Sequence, residues 1–301
     1  MLCAVDPARE EWGPLATASV LAEYLGVPLE ALYAATSGAW DDRAERVRRL
    51  IAEHSSRERL EQLIAPLAAA ITVKATVQRG AVAEVILRHA SRGRAGLIVL
   101  GSGDRRRFGS GSHRLAMSVA ATATAPVLTV PSDARGCAVK RILVPITSST
   151  ASRAALTWAT ALAHRFGASV TLARVAHPPA WFGASLFGPR RRTEELSRQR
   201  AILLESSIDR LRHADIVVTK EPEQLDANAL ALLVSEQAFD LVVMGLPPAS
   251  HGGLEHALGE RVRQCGLVPV LSVRAQMQNS SRAHSAKSAA ALGSWPSEYV
   301  A

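Results

Sequence analysis

The sequence predicts an α/β protein in which one parallel-sheet domain is built twice, and three observations carry that reading. At 301 residues the chain has room for two domains of about 150 residues each. Short runs of Val, Ile and Leu alternate with longer segments of helical period, the mark of βαβ units around a parallel sheet whose strands are covered on both faces. The chain also aligns with itself: Ala4-Val5-Asp6 with Pro145-Ile146-Thr147 at an offset of 141, Gly96 to Gly101 with Asp240 to Gly245 at 144, and Ala125 to Val130 with Val268 to Val273 at 143. Solenoid units repeat every ~20 to 50 residues, so a period this long is a duplicated domain.

Taken in order, the first half reads as strands at 2–6, 28–35, 71–78, 95–101 and 126–130, separated by helices at 10–25, 41–68, 80–92 and 111–124. Ser55-Ser56 is a candidate break in the long second helix, and Ala81 to Leu87 follows Gly80 with apolar residues recurring at i+3 and i+4. The second half repeats the alternation, with strands at 141–146, 169–175, 215–220, 240–245 and 268–273 and helices at 150–166, 191–213, 224–238 and 254–266. Pro, Ser, Asp and Gly cluster after the fifth strand and mark a linker. The expected division is therefore domain 1 at 1–132, linker at 133–139, domain 2 at 140–275, and a flexible tail at 276–301, where Ser, Ala, Gln and Asn follow no period.

Composition narrows the function. The chain is 48% hydrophobic and 21% charged, which is globular, and its 4% aromatic content disfavours a stacking platform for single-stranded nucleic acid. The net charge of +8 is spread, because most arginines alternate with glutamates along helix faces; this argues against a nucleic-acid surface and for a soluble protein that meets small anions. Cys3, Cys137 and Cys265 form no CxxC and have no His at metal spacing, so neither zinc nor a disulfide framework is indicated, and a reducing cytoplasm fits. No run reaches the ~18 apolar residues of a membrane span. Nor is there a nucleophile elbow with triad partners; His54, His89, His164, His177 and His213 read as structural, and Trp40, Trp158 and Trp181 as packing residues.

In an open parallel sheet, ligands bind beyond the carboxyl ends of the strands, where strand order reverses. In the first half this selects Val5-Asp6-Pro7 after the first strand and the Gly/Ser-rich segment from Gly101 to Ser112 after the fourth. The latter leads straight into a helix. The amides of Gly101, Gly103, Gly109 and Gly111, the hydroxyls of Ser110 and Ser112, and the helix dipole therefore converge where a phosphate would sit. Lacking Gly-Lys-Ser/Thr, the segment is not a P-loop, and the first strand carries no G-x-G-x-x-G dinucleotide fingerprint. The plain alternative is a surface turn in which Ser112 caps the helix.

Together, the Asp after strand one, Leu97-Ile98-Val99-Leu100-Gly101-Ser102, Gly109-Ser110-Gly111-Ser112-His113-Arg114-Leu115-Ala116 and Ala125-Pro126-Val127-Leu128-Thr129-Val130-Pro131 resemble the universal stress protein family. The resemblance covers nearly the whole chain twice, as in a tandem member. It implies two Rossmann-like sandwiches, of the adenine nucleotide alpha hydrolase-like type, each with five parallel strands in the order 3-2-1-4-5. It also implies a pseudo-dimer packed through the apolar fifth strands, with further homo-dimerisation open. Some members bind ATP. By position, Asp6 would face the adenosine end, Ala34 would border the base, and Gly101, Gly109, Ser110 and Ser112 would hold phosphates, with magnesium.

Three departures qualify this. Asp104 stands at the second Gly of the family's G-x2-G-x9-G-[ST] pattern, with Gly103 beside it, and only seven residues separate Gly101 from Gly109, which shortens the loop by about a turn. In the second half the Asp position is Thr147, the loop runs Gly245-Leu246-Pro247-Pro248-Ala249-Ser250-His251-Gly252-Gly253, and His256-Ala257 stand where Gly-Ser would. Proline removes an amide donor there. Met1 directly abuts the first strand, where family members carry a few residues first, which leaves room for a start upstream. The reading is therefore a non-enzymatic stress-response protein, with ATP bound in domain 1 and a degenerate site in domain 2. The alternative is a nucleotide-independent interaction module with both sites vestigial, meeting a partner through helix 41–68 or loop 181–192; slow ATP hydrolysis is the third option.

Overall fold

The computed structural model describes residues 1–9, 12–35, 43–103, 111–134, 136, 138–147, 150–175, 190–246, 258–259, 261–262 and 268–274. The chain divides into two compact units, with the boundary between Cys137 and Ala138.

The first unit runs β1 (Leu2–Ala4), α1 (Trp12–Leu25), β2 (Leu29–Ala35), α2 (Arg43–Ile64), β3 (Val73–Arg79), α3 (Val82–Arg92), β4 (Ile98–Gly101), α4 (Gly111–Thr122) and β5 (Val127–Val130), with a 3-10 turn at Ala65–Leu67 after α2. Its strands are all parallel and lie in the order β3-β2-β1-β4-β5. The second unit runs β6 (Arg141–Ile146), α5 (Thr150–Phe166), β7 (Ser169–Val175), α6 (Arg190–His213), β8 (Val218–Leu225), α7 (Ala227–Glu236), β9 (Leu241–Leu246) and β10 (Val270–Arg274). Its order is β8-β7-β6-β9-β10, again parallel throughout. Written from the first strand of each unit, both sheets have the expected 3-2-1-4-5 order.

Local chemistry accounts for the elements. α3 turns Val85, Ile86 and Ala90 onto the sheet, carries Glu84 in its first turn and His89 and Arg92 in its last, and stops at Gly93. α7 starts where the Asp226 carboxylate accepts the Ala229 N–H at 2.7 Å. The inner strands are apolar on both faces, with Leu32, Ile98, Leu143 and Leu172 essentially inaccessible. In the second unit Leu143, Val175, Leu230, Val234, Phe239, Val242 and Met244 form one core cluster. Each such side chain contributes about 1.5–3 kcal/mol by leaving water.

The duplication extends to single hydrogen bonds. Val27 N–H donates to Ala22 O at 3.0 Å, and Ala168 N–H donates to Ala163 O at 2.9 Å, each just past a helix-ending glycine in the left-handed region, Gly26 at φ +65° and Gly167 at φ +63°. Farther along, Ile98 N–H bonds Pro126 O as Val242 N–H bonds Pro269 O, both at 3.0 Å. These pairs keep the sequence offsets of 141, 144 and 143.

Two expectations are corrected. α2 runs unbroken through Ser55-Ser56 to Ile64, because serine costs a helix interior only tenths of a kcal/mol. The strand expected at 215–220 is β8 at Val218–Leu225, a polar strand at the end of its sheet that lacks an apolar run to announce it. The expected helix at 254–266 and the tail at 276–301 fall wholly or largely outside the described residues. No helix among the described residues is long and apolar enough to cross a membrane.

Candidate functional site

In the first unit β1 lies between β2 and β4, so the chain leaves the carboxyl end of β1 in one direction and that of β4 in the other, opening a crevice. Asp6, two residues past β1, forms a tight turn there: its Oδ1 accepts the Ala8 N–H at 3.1 Å and its carbonyl accepts the Arg9 N–H at 3.1 Å. The same turn swings Arg9 back, so that Nε lies 3.2 Å from Asp6 Oδ2. An Arg9 terminal nitrogen also donates to Ser112 Oγ at 2.9 Å. One guanidinium thus joins the carboxylate after β1 to the first turn of α4.

The side chains of Arg9 and Asp6 are 54% and 41% exposed, so this pair contributes about 1 kcal/mol or less. Tyr33, on β2 beside Ala34, titrates above its usual range, raised first by burial and then by the negative charge of Asp6.

On the other wall, Gly101 closes β4 opposite Val130, and Ser102 donates to Val130 O from both its N–H (2.8 Å) and its hydroxyl (3.2 Å). Gly103 is buried and turns the chain at φ +83°, a conformation that glycine adopts without strain. Residues 104–110 lie outside the described residues, and with them Gly109, Ser110, Asp104 and Arg105 to Arg107. Gly111 opens α4 with no described residue within 4 Å of where a Cβ would stand, and Ser112 follows it half-buried. The first turn of a twelve-residue helix, a serine hydroxyl and a guanidinium therefore meet at one place. Ala34 sits half-buried near the carboxyl end of β2. Of the sequence candidates, Asp6 and Ser112 are joined through Arg9, Gly111 adjoins them, and Gly101, Gly103 and Ala34 stand at the strand ends around the crevice. Sequence reasoning missed Arg9 and Tyr33. The i,i+3 spacing of Asp6 and Arg9 was the available signal for Arg9.

The arrangement suits a ligand with an anion at one end and hydrogen-bond donors at the other, since Ser112 and Arg9 donate while Asp6 accepts. Among the described residues no group of three His, Cys, Asp or Glu side chains is arranged to hold a metal ion.

The second unit differs at the same place. Thr147, the counterpart of Asp6, is buried; its N–H donates to Ser152 Oγ at 2.9 Å and its hydroxyl lies 2.6 Å from the same oxygen. Gly245, the counterpart of Gly101, is so close to the first turn of α5 that an added Cβ would lie 2.2 Å from the Ala151 backbone. The head of α5 therefore rests on the end of β9 and tethers the end of β6. Residues 247–256, with Gly252 and Gly253, lie outside the described residues.

A second polar cluster lies under α3. Glu30 accepts from Thr76 Oγ1 at 2.6 Å and sits 3.0 Å from His89 Nε2 and 3.7 Å from Lys74 Nζ, while Gln78 Nε2 lies 3.1 Å from His89 Nδ1. Burial works to raise the Glu30 pKa, but these partners outweigh it and hold the carboxyl below its ordinary range. The counterparts in the second unit are uncharged: Thr171 and Thr219 hydroxyls, 2.8 Å apart. His89 is thus a satisfied structural histidine, His54 pairs with Glu58 at 3.1 Å, and His213 bonds the Asp209 carbonyl at 2.6 Å.

With this geometry in place, comparison with known proteins is informative. The profile of the universal stress protein family matches residues 1–131 and again 138–264. Among solved structures the chain is similar to a universal stress protein from Archaeoglobus fulgidus at 15% identity and a TM-score of 0.63, covering 91% of this chain and 95% of that one. It is also similar to a putative universal stress protein from Pseudomonas aeruginosa at 16% identity and a TM-score of 0.50, covering 91% of each. At these identities the likeness is one of fold. A comparison with curated protein sequences finds no significant match.

Proposed function

Because the chain belongs to the universal stress protein family, with the domain present twice, we propose that it is a non-enzymatic stress-response protein whose first unit binds an adenine nucleotide and whose second unit does not. The observation that carries this reading is the Asp6–Arg9–Ser112 connection across the crevice beyond β1 and β4. Asp6 would accept hydrogen bonds from the ribose or base. Ser112, the amides opening α4 and Arg9 would face the phosphates, and Gly101, Gly103 and Ala34 would border the ligand. Magnesium would arrive with the triphosphate and be held chiefly by its oxygens, since the described residues supply no ligand cluster of their own.

Binding rather than catalysis is the reading proposed for Asp6. Asp6 already accepts the Ala8 N–H and faces the Arg9 guanidinium, which supports a part as hydrogen-bond acceptor for a ligand. A cytoplasmic location is part of the proposal, supported by cysteines without disulfide or zinc spacing. The second reading, a nucleotide-independent interaction module, draws support from the tethered crevice of the second unit. Calorimetric titration of the full chain with ATP and magnesium decides between them: heat of binding supports the nucleotide reading, and its absence at millimolar ATP supports the module.

A further inference from the structure

We infer that β3 is a docking edge for a second copy of this chain, whose own β3 pairs with it antiparallel about a twofold axis at Thr76. The inference is independent of the nucleotide reading and involves none of the residues placed in the crevice.

Among the described strands β3 ends its sheet, with β2 as its neighbour. The two pair in unbroken register, from Leu29 opposite Val73 to Ala35 opposite Arg79. At the ends of that pairing Leu29 N–H donates to Thr72 O at 2.9 Å and Gly80 N–H donates to Ala35 O at 3.1 Å. These bonds fix the phase of the ladder: even-numbered residues bond β2, and Val73, Ala75, Val77 and Arg79 turn their N–H and C=O groups outward. Backbone donors and acceptors repeating every second residue suit one kind of partner, another extended strand. The third strand of the second unit, β8, is finished differently. It carries Pro222, which has no N–H, and its pairing with β7 shifts register between Leu172 and Arg174. Both devices deter edge pairing, and β3 has neither.

The sequence of β3 fits a copy of itself. With the axis at Thr76, Ala75 and Val77 exchange N–H···O bonds with Val77 and Ala75 of the second copy. Val73 then stands opposite Arg79 and Lys74 opposite Gln78, so no two like charges meet. Both cations are answered within their own chain, Lys74 Nζ 3.7 Å from Glu30 and Arg79 paired with Glu53 of α2. Val73, Thr76 and Val77 are β-branched, as strands prefer, and none of the seven residues of β3 is fully buried, so pairing has surface left to cover. The contact is isologous: each edge consumes the other and association closes at two copies.

The test uses the full chain in sedimentation equilibrium at micromolar concentration, followed by cysteine cross-linking. Wild type should have twice the 32.0 kDa mass of one chain. Ala75→Pro removes an outward N–H and no bond to β2, so it should sediment as a monomer with unchanged far-UV circular dichroism. Thr76→Cys should give a disulfide-linked dimer on mild oxidation, beyond the level of wild type with its native cysteines. A non-hydrogen-bonded antiparallel pair brings Cα atoms to about 4.5 Å, within disulfide range. Gln78→Cys, which would stand opposite Lys74, should not link. The cross-links also decide the matter if Ala75→Pro does not fold: a link at Thr76→Cys without one at Gln78→Cys supports the pairing, and its absence overturns it. A wild type that sediments as a single chain overturns it as well.

Discussion

The two crevices of this chain sit at the same point of the same fold and are finished in opposite ways. Beyond β1 stands a charged, half-exposed turn, with Asp6 paired to Arg9 and Arg9 reaching Ser112. Beyond β6 stands a neutral, buried one, with Thr147 bonded to Ser152 and Ala151 pressed on Gly245. The contrast recurs away from the crevice, where Glu30 opposite Lys74 in the first unit answers to Thr171 opposite Thr219 in the second. Exposed charge at a switch point can be redirected to a ligand at little cost, whereas a buried hydroxyl pair is already satisfied and costs free energy to open. On the proposed reading, the first crevice serves ligand exchange and the second serves stability.

The largest expected effect lies at the two glycines that frame the crevices. Gly245→Ala forces a Cβ into the Ala151 backbone and should destabilise the protein by about 3 kcal/mol, the upper range for overpacking. Gly111→Ala, with no described residue within 4 Å of the added Cβ, should be neutral or slightly stabilising in the same thermal melt. Equal losses would erase the distinction between a closed and an open crevice. Next comes Ser152→Ala, which takes a buried partner from Thr147 and should cost about 1–3 kcal/mol without changing nucleotide affinity. A loss of nucleotide binding in that variant would contradict the structural role assigned to the second crevice.

A smaller effect concerns pH. The Glu30 carboxyl titrates below its ordinary value in the folded state, so its ionised form contributes stability that is fully present above the ordinary glutamate pKa. That contribution is lost as pH falls through the lowered folded value. Chemical melts of Glu30→Gln from pH 7 to pH 3 should therefore show a shallower acid loss than wild type. A parallel pair of curves would show that Thr76, His89 and Lys74 do not stabilise the ionised form. The smallest signal is at Cys3, whose buried thiol is pushed up to about 12. It should stay unmodified by iodoacetamide at pH 8 in the native protein, as peptide mass spectrometry would show.

The fold was legible because the duplicated apolar runs of β1, β4 and β5 recur in β6, β9 and β10, and buried parallel strands leave little freedom in their sequence. β8 was misplaced because Glu221, Pro222 and Glu223 give it no apolar run; the Asp226 cap that ends the ambiguity was a readable signal of where α7 begins. At the site, Asp6 and Ser112 were legible from topology, since the switch point dictates which loops face each other. Arg9 was not. Its role depends on reaching a serine 103 residues away in the chain, and no local pattern encodes that distance. Ser152 was hidden for the same kind of reason: a serine in the first turn of a helix reads as a cap, and only the structure shows it holding Thr147.

The central claim, one nucleotide site per chain and that site in the first unit, is tested most directly by the stoichiometry of ATP binding. Titrating the full chain with magnesium and ATP, the account predicts one site. Asp6→Ala should weaken it about tenfold or more, the cost of losing a hydrogen bond to a charged group, and Thr147→Ala should leave the affinity unchanged. Two sites per chain, a site indifferent to Asp6→Ala, or no heat at millimolar ATP would contradict it.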